Sequence, residues 1–336
     1  MAYLSRMYAT ARVLCAFAAA GTFVACGGPQ SATTVPPVAF ASTSSSGPSP
    51  ATIAFSYATL DEQYTNFNEL LSINNIGRIV GFEGAGTSSD PSVGYLARPP
   101  YELKDYKAVS YPGASSTVAS GLNNRRYVVG YFDDPQKAQT LGFAFINNLW
   151  SAYRDPHARA KGSTTELLAV NDSDMAVGFY KAGSSSGAFE MEVATGKFTP
   201  ITPPNGKNAV ATSINSRADI VGYCTKPDGN IVGFLLLGAS RTFYTFSYPN
   251  ATSTKFLGVT VADRIVGSFV DKRGQTHGFL LRHPLRHTIS WQRIDEPDAV
   301  GTTVAAAINL HYDIVGWYVD SSGTTHGFLA TPKSTQ

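Results

Sequence analysis

The sequence predicts an all-β chain made of six copies of one four-stranded unit, on three observations. The dipeptide Val-Gly recurs with its glycine at Gly81, Gly130, Gly178, Gly222, Gly267 and Gly316, in steps of 49, 48, 44, 45 and 49 residues. Eight residues before each glycine stands an apolar residue, followed in five copies by Asn, as in "INNIGRIVG" from Ile73 and "INSRADIVG" from Ile214. After each glycine a polar turn leads into a second Gly-aromatic or Gly-apolar signal: "GYL" at 94, "GFAF" at 142, "GAF" at 187, "GFLL" at 233 and 278, and "GFLA" at 327.

Each copy reads as four strands in order. A first apolar strand ("ELLSI", "ELLAV", "KFLGV") runs into a turn where Asn74, Asn123, Asn171, Asn215 or Asn309 can bond the backbone two residues on. The fifth copy, "VTVADRIVG", has Thr260 there. A second strand carries the Val-Gly pair, and a polar, commonly Gly-containing turn such as "DKRG" or "DSSG" reverses the chain into the third. A period-two segment such as "TFYTFSYPNA" supplies the fourth. Four strands with a period near 45 residues are the signature of a β-propeller blade, so the expected fold is a six-bladed β-propeller. The last copy ends one strand short, and "TIAFSYATL" at 52–60 resembles "YTFSYPNA". That N-terminal strand is expected to complete the sixth blade and close the ring, removing an open sheet edge.

The ends of the chain differ from this body. "MAYLSRMYATAR" carries Arg6 and Arg12 without an acid, and the apolar run "VLCAFAAAGTFVA" is too short to span a bilayer, which is the layout of a signal peptide over 1–25. Phe23-Val24-Ala25-Cys26-Gly27 resembles a bacterial lipobox, implying lipidation at Cys26. Residues 26–50 are rich in Ser, Thr, Pro and Gly and uncharged, and read as a disordered tether spanning on the order of 25 to 30 Å. The propeller domain is expected over 51–336.

Of 26 basic and 24 acidic residues, cleavage after residue 25 removes Arg6 and Arg12, leaving 24 of each. A neutral mature chain lacks the basic footprint of a nucleic-acid binder. With Cys15 lost and Cys26 acylated, Cys224 stands alone and reads as a buried thiol.

The unit, an Asn turn, "IVG" and then D-x-x-G-x-x-H-G-F, resembles the probable extracellular repeats of the HAF family of bacterial secreted and surface proteins. The resemblance covers nearly all of 60–331 and is carried best by 259–281 and 308–329. His277-Gly278-Phe279 and His326-Gly327-Phe328 stand at the naming tripeptide, with Gly for Ala. It implies export and repetition, with no established activity.

Candidate chemistry is sparse. "GSSSG" at 183–187 satisfies G-x-S-x-G around Ser185, but it falls in a strand-to-strand turn without the helix that motif requires. His283 and His287 are split by Pro284, which argues against the helix that would pair them on a metal. His277 and His326 recur at equivalent positions, suggesting a turn or packing role, and neither shows a carboxylate partner within its repeat. Asp133 with Asp134, Asp172 with Asp174, and Glu296 with Asp298 fall in turns that the repeat explains. D-x-x-G-x-[ST] is similar to the Asp-box of sialidases, but the Trp that belongs after it is missing. Trp150, Trp291 and Trp317 read as core between blades. No Walker loop, HExxH or CxxC motif is present, so no cofactor, metal or catalytic residue is assigned.

These readings combine into an exported, membrane-anchored propeller, monomeric as a domain. It acts in the cell envelope as a non-enzymatic binding or scaffold module for a protein or polysaccharide; without lipid at Cys26 it would be secreted. The alternative is a carbohydrate-active hydrolase or lyase with its site in the funnel. That reading requires the non-repeat insertions at 81–106 and 150–162 to converge on one mouth, and makes Arg154, Asp155 and His157 the candidate ligand contacts.

Overall fold

A computed structural model describes residues 52–61, 67–84, 91–286 and 288–333. The signal peptide, Cys26 and the whole tether lie outside the described residues, as does His287. The described chain is all-β, with a single 3-10 turn at Leu103–Asp105. β1 (Phe55–Thr59) comes first. Unit 1 is β2 (Phe67–Ile73), β3 (Ile79–Gly84), β4 (Val93–Ala97) and β5 (Tyr106–Val109), and unit 2 is β6 (Ser116–Leu122), β7 (Val128–Asp134), β8 (Gln139–Ile146) and β9 (Leu149–Tyr153). Unit 3 is β10 (Thr164–Val170), β11 (Met175–Ala182), β12 (Ser185–Glu192) and β13 (Lys197–Ile201). Unit 4 is β14 (Lys207–Ile214), β15 (Ile220–Thr225), β16 (Ile231–Leu236) and β17 (Phe243–Phe246). Unit 5 is β18 (Ser253–Val259), β19 (Arg264–Val270), β20 (Thr276–Arg282) and β21 (Ser290–Ile294), and unit 6 is β22 (Thr303–Ile308), β23 (Ile314–Val319) and β24 (Thr325–Pro332).

Within each unit the strands pair antiparallel in chain order. β1 supplies the fourth strand of unit 6, pairing with β24 from Phe55 opposite Pro332 to Thr59 opposite Phe328. Parallel bridges join units in pairs into three eight-stranded sheets: Phe67 with Thr325, Thr140 with Thr164, and Ile231 with Ser253.

The core lies between successive units, because each sheet carries apolar side chains on both faces. Val80 and Val109 of unit 1 pack with Ala119, Phe132 and Phe143 of unit 2. Val177, Ala188 and Ile201 of unit 3 pack with Ala211, Ile220 and Phe234 of unit 4, and Val266, Leu280 and Ile294 of unit 5 with Ala305 and Phe328 of unit 6. Val315 of unit 6 packs with Leu70, Ile79 and Tyr95 of unit 1. Burying one such Phe or Leu contributes about 1.5 to 3 kcal/mol. Trp317 is buried, while Trp150 and Trp291 sit edge-on to Tyr111 and Tyr248, which stack at 3.6 Å on Phe132 and Phe269.

The repeated Val-Gly has a local cause. The first strand of every unit has a register shift at the same place, Leu70/Ser72 in unit 1 and Ala211/Ser213 in unit 4, for example. Beside the bulge, a Cβ on each of the six glycines would fall well inside 3.0 Å of a main-chain carbonyl of that strand, such as Val210 O for Gly222 and Lys255 O for Gly267.

The Asn turns link unit to unit. Each Asn side chain accepts main-chain N–H groups of its own turn through Oδ1 and donates Nδ2 to the equivalent carbonyl of the next unit. Asn74 donates to Asn123 O at 3.1 Å, Asn123 to Asn171 O at 2.9 Å, Asn171 to Asn215 O at 3.0 Å and Asn215 to Thr260 O at 3.2 Å. Asn309 donates to Asn74 O at 3.2 Å. The link from unit 5 to unit 6 is the one without an amide, because Thr260 has none; Arg264 Nη1 instead donates to Leu310 O at 2.9 Å. Thr260→Asn is expected to complete the set and stabilise the protein by about 1 kcal/mol, read as a raised midpoint in urea denaturation.

Candidate functional site

Two concavities stand out, at opposite ends of the units. The Asn turns and the third-to-fourth-strand turns share one end; the second-to-third-strand turns and the links between units share the other. At the Asn end a cavity of about 230 Å³ is lined by the turns of all six units. Its rim groups largely satisfy one another: Asn124 Nδ2 donates to Asp172 Oδ2 at 2.8 Å, and Leu310 N donates to Asn75 Oδ1 at 3.0 Å.

At the opposite end a groove of about 510 Å³ lies where unit 3 meets unit 4. It is bounded by Asp155–His157 from the β9–β10 link, by Ser184–Phe189 of the β11–β12 turn and β12, and by residues 198–209.

The seam at this groove lacks a staple that four other links carry. The links read X-Pro-x-Ala, with X as Tyr111, Asp155, Tyr248 and Glu296. In each, the Ala N–H bonds back to the X carbonyl, and the X N–H donates to a Thr hydroxyl in the next first strand. Those bonds are Tyr111 to Thr117 at 3.1 Å, Asp155 to Thr165 at 3.0 Å, Tyr248 to Thr254 at 2.9 Å and Glu296 to Thr303 at 3.3 Å. Between units 3 and 4 the link reads Pro203-Pro204-Asn205-Gly206 and the Thr position is Ala209. Donor and acceptor are both gone, since Pro has no N–H and Ala no hydroxyl.

The main chain follows. At the other five seams a backbone contact ties the start of a third strand to the next unit: the three bridges above, the isolated bridge Thr276–Thr302, and Thr117 N donating to Ser92 O at 2.9 Å. At the third seam no such backbone bond is present among the described residues. β14 instead carries an additional register shift between Lys207 and Val210, with Asn208 at φ 51°, and at this end Ser186 Oγ donates across to Asn208 Oδ1 at 3.0 Å.

Of the sequence candidates, Asp155 and His157 line this groove, while the exposed Arg154 does not. Asp155 is buried and its Oδ1 accepts from His157 N and pairs with His157 Nδ1, both at 2.8 Å. That contact leaves Nε2 as the second ring nitrogen and fixes the imidazole against Tyr180, ring centroids 5.0 Å apart and 19° from parallel. The later part of the first insertion lies elsewhere: Tyr101 OH donates to Gly77 O in the Asn74 turn, at the Asn end, so residues 98–105 and 154–162 do not share a mouth, while 85–90 lie outside the described residues. Tyr180, Ser186, Lys207 and Asn208 escaped sequence reasoning. The signal for them was the Pro-Pro-Asn-Gly link together with the shortest step, 44 residues from Gly178 to Gly222.

His277 and His326 do have carboxylate partners, a correction to the sequence reading. His326 Nδ1 lies 2.6 Å from Asp61 Oδ2 and Nε2 3.3 Å from Asp320 Oδ2. His277 Nδ1 lies 3.0 Å from Asp295 Oδ1 and Nε2 3.6 Å from Asp271 Oδ2. The tight hairpin folds the Asp of D-x-x-G-x-x-H back over the His six residues later, and the fourth strand of the same sheet brings the second acid. Asp61 also accepts from Gly327 N and Asn68 Nδ2 through Oδ1, tying the end of β1 to β24 and β2. Among the described residues no group of three or more His, Cys, Asp or Glu is arranged to hold a metal ion.

Three titrating groups set a pH dependence. Glu69 and Glu166, at equivalent positions in units 1 and 3, are buried, and burial pushes each up to about 8; for Glu166 the Asp133 charge adds and Lys181 opposes. His326 is raised although burial disfavours its charge, because its contacts with Asp61 and Asp320 outweigh that cost. All three bind protons more tightly folded than unfolded. The stability each contributes is complete below its ordinary value, 4.5 for the glutamates and 6.5 for His326, and is lost as pH rises through the raised one. The protein is expected to melt higher at pH 5 than at pH 8, with Glu166→Gln flattening that decline, as melting curves across this range would read.

No helix among the described residues is long and apolar enough to cross a membrane. No family model matches the sequence, and no curated protein matches it. Among solved structures the chain is similar to TolB from Acinetobacter baumannii, at 8% identity and TM-score 0.49 over 76% of this chain; the match spans 64% of the TolB chain. It is similar to AofleA from Arthrobotrys oligospora at 14% identity and TM-score 0.47, over 84% of each chain. A mutant Aleuria aurantia lectin in complex with alpha-methyl-L-fucoside aligns at 12% identity and TM-score 0.45, over 80% of this chain and 95% of that one.

Proposed function

We propose that the protein is an exported six-bladed β-propeller, lipid-anchored at Cys26, that works as a binding module in the cell envelope and takes its ligand in the groove of the third seam. Six equivalent units, the pairing of β1 with β24, the packing of unit 6 on unit 1 and the return of the Asn links from Asn309 to Asn74 support a closed ring. The lipobox-like stretch and uncharged tether before residue 51 support an anchored domain held off a membrane, in keeping with the HAF-type extracellular repeats it resembles.

The observation that carries the binding reading is the third seam. One junction of six lacks both the link staple and the backbone bridge at the start of its third strand, and the concavity there falls in the size range of ligand sites, about 300 to 1,000 Å³. The test is a thermal-shift screen of the full chain against envelope polysaccharide fragments and proteins, with Ser185→Arg as the blocked control; Ser185 is exposed at the groove edge. A rise in melting temperature seen with the native chain and absent with Ser185→Arg is expected. A rise that survives the substitution would place binding elsewhere.

A further inference from the structure

We infer that the ligand of the third seam is a neutral saccharide, one sugar ring seated against the His157 imidazole with its hydroxyls among the serines of the β11–β12 turn. This rests on the binding reading above and assigns that site its ligand class.

The charges of the groove argue first. Its one acid, Asp155, is 2% exposed and committed to His157 through Oδ1, so no carboxylate is presented to a cation. The one Lys, Lys207, is exposed, and no Arg lines the groove, so the paired clamp that selects carboxylates or phosphates is absent from its walls. Apart from Lys207, the polar groups of the walls are uncharged donors and acceptors: the hydroxyls of Ser184, Ser185 and Thr202, the Asn208 amide and the Ser186 hydroxyl bonded to it.

The flat surfaces argue second. His157 is held by two bonds to Asp155 and backed by Tyr180, and its side chain is 59% exposed, so one imidazole face is buttressed and the ring still meets solvent. Pro156 and Pro200 add rigid apolar surface beside it. A rigid ring face beside a row of hydroxyls and an amide matches a pyranose, which has C–H faces and a hydroxyl rim.

Strand addition by a peptide fits less well. β13 pairs β12 only from Ala188 onward, so the β12 edge left open is Ser185–Gly187. Three residues are too short for a ladder that draws its affinity from successive main-chain bonds.

The test is saturation-transfer NMR on the full chain with neutral gluco-, galacto- and manno-oligosaccharides, with oligogalacturonate as the anionic probe and a proline-rich decapeptide as the peptide probe. It is repeated with His157→Ala, with Ser185→Arg, and with Pro203→Tyr combined with Ala209→Thr, which restores the missing donor and acceptor without emptying the core. Transfer to a neutral sugar is expected, weakened about tenfold by His157→Ala and abolished by the other two. Transfer only to oligogalacturonate or the peptide, lost in Ser185→Arg, would overturn the neutral-saccharide assignment and leave the groove as a binding site. Absence of any transfer sensitive to Ser185→Arg would overturn both.

Discussion

Gly222→Ala is expected to lower stability by about 3 kcal/mol or more, a cost usually reserved for disrupted cores. An added Cβ would press on the Val210 carbonyl and on the Phe234 ring. The ring could turn aside, but the carbonyl belongs to the bulged backbone of β14, fixed by its ladder with β15. Relief would require the two strands to separate next to the buried Ile220 and Val221. The same substitution at Gly229, in the exposed β15–β16 turn, meets nothing within 4 Å, and its cost is confined to backbone strain at φ 86°. Chemical denaturation of the two variants side by side separates close approach from turn geometry.

Asn171→Ala is expected to cost about 3 kcal/mol through hydrogen bonds alone. The Asn171 side chain is buried, receives Ser173 N and Met175 N, each at 3.0 Å, and donates to Asn215 O at 3.0 Å. Alanine leaves those partners without a bond where water enters poorly, and each unmade bond costs about 1 kcal/mol or more. Asn124→Ala, on the exposed rim of the same end, is expected to change stability by less than about 1 kcal/mol, because water replaces its side-chain bonds with Asp172 Oδ2 and Asn75 N. Equal losses at the two positions in urea titrations would mean that the links between units carry little of the stability.

These two substitutions mark what was legible in the sequence. A glycine that a bulge demands and an Asn that closes a turn recur because each copy meets the same local geometry, so reading periodicity was enough to find them. The strand at 52–60 was legible by likeness to the other fourth strands. The His–Asp contacts were legible only in part: Asp271 and Asp320 stand in the D-x-x-G-x-x-H motif, but Asp295 and Asp61 reach the histidines from the end of the fourth strand, which that motif does not encode. Asp155 drew notice because its link is long, yet its N–H makes the bond that Tyr111, Tyr248 and Glu296 make in theirs. The groove was illegible for a different reason. Pro-Pro-Asn-Gly and the short step mark this link in the sequence, but what Pro203 and Ala209 fail to do becomes plain only beside the four intact bonds seen in three dimensions.

Hydrogen exchange of the full chain, read peptide by peptide, tests whether the six units close into a ring whose third seam lacks a backbone bridge. Amides of β1 and β24 are predicted to be as protected as those of the other units. Among the six seams, Ser184–Gly187 and Lys207–Ala209 are predicted to exchange fastest. Fast exchange throughout β1 would contradict closure of the ring, and equal protection at all six seams would contradict the unbridged third seam on which the proposed binding site stands.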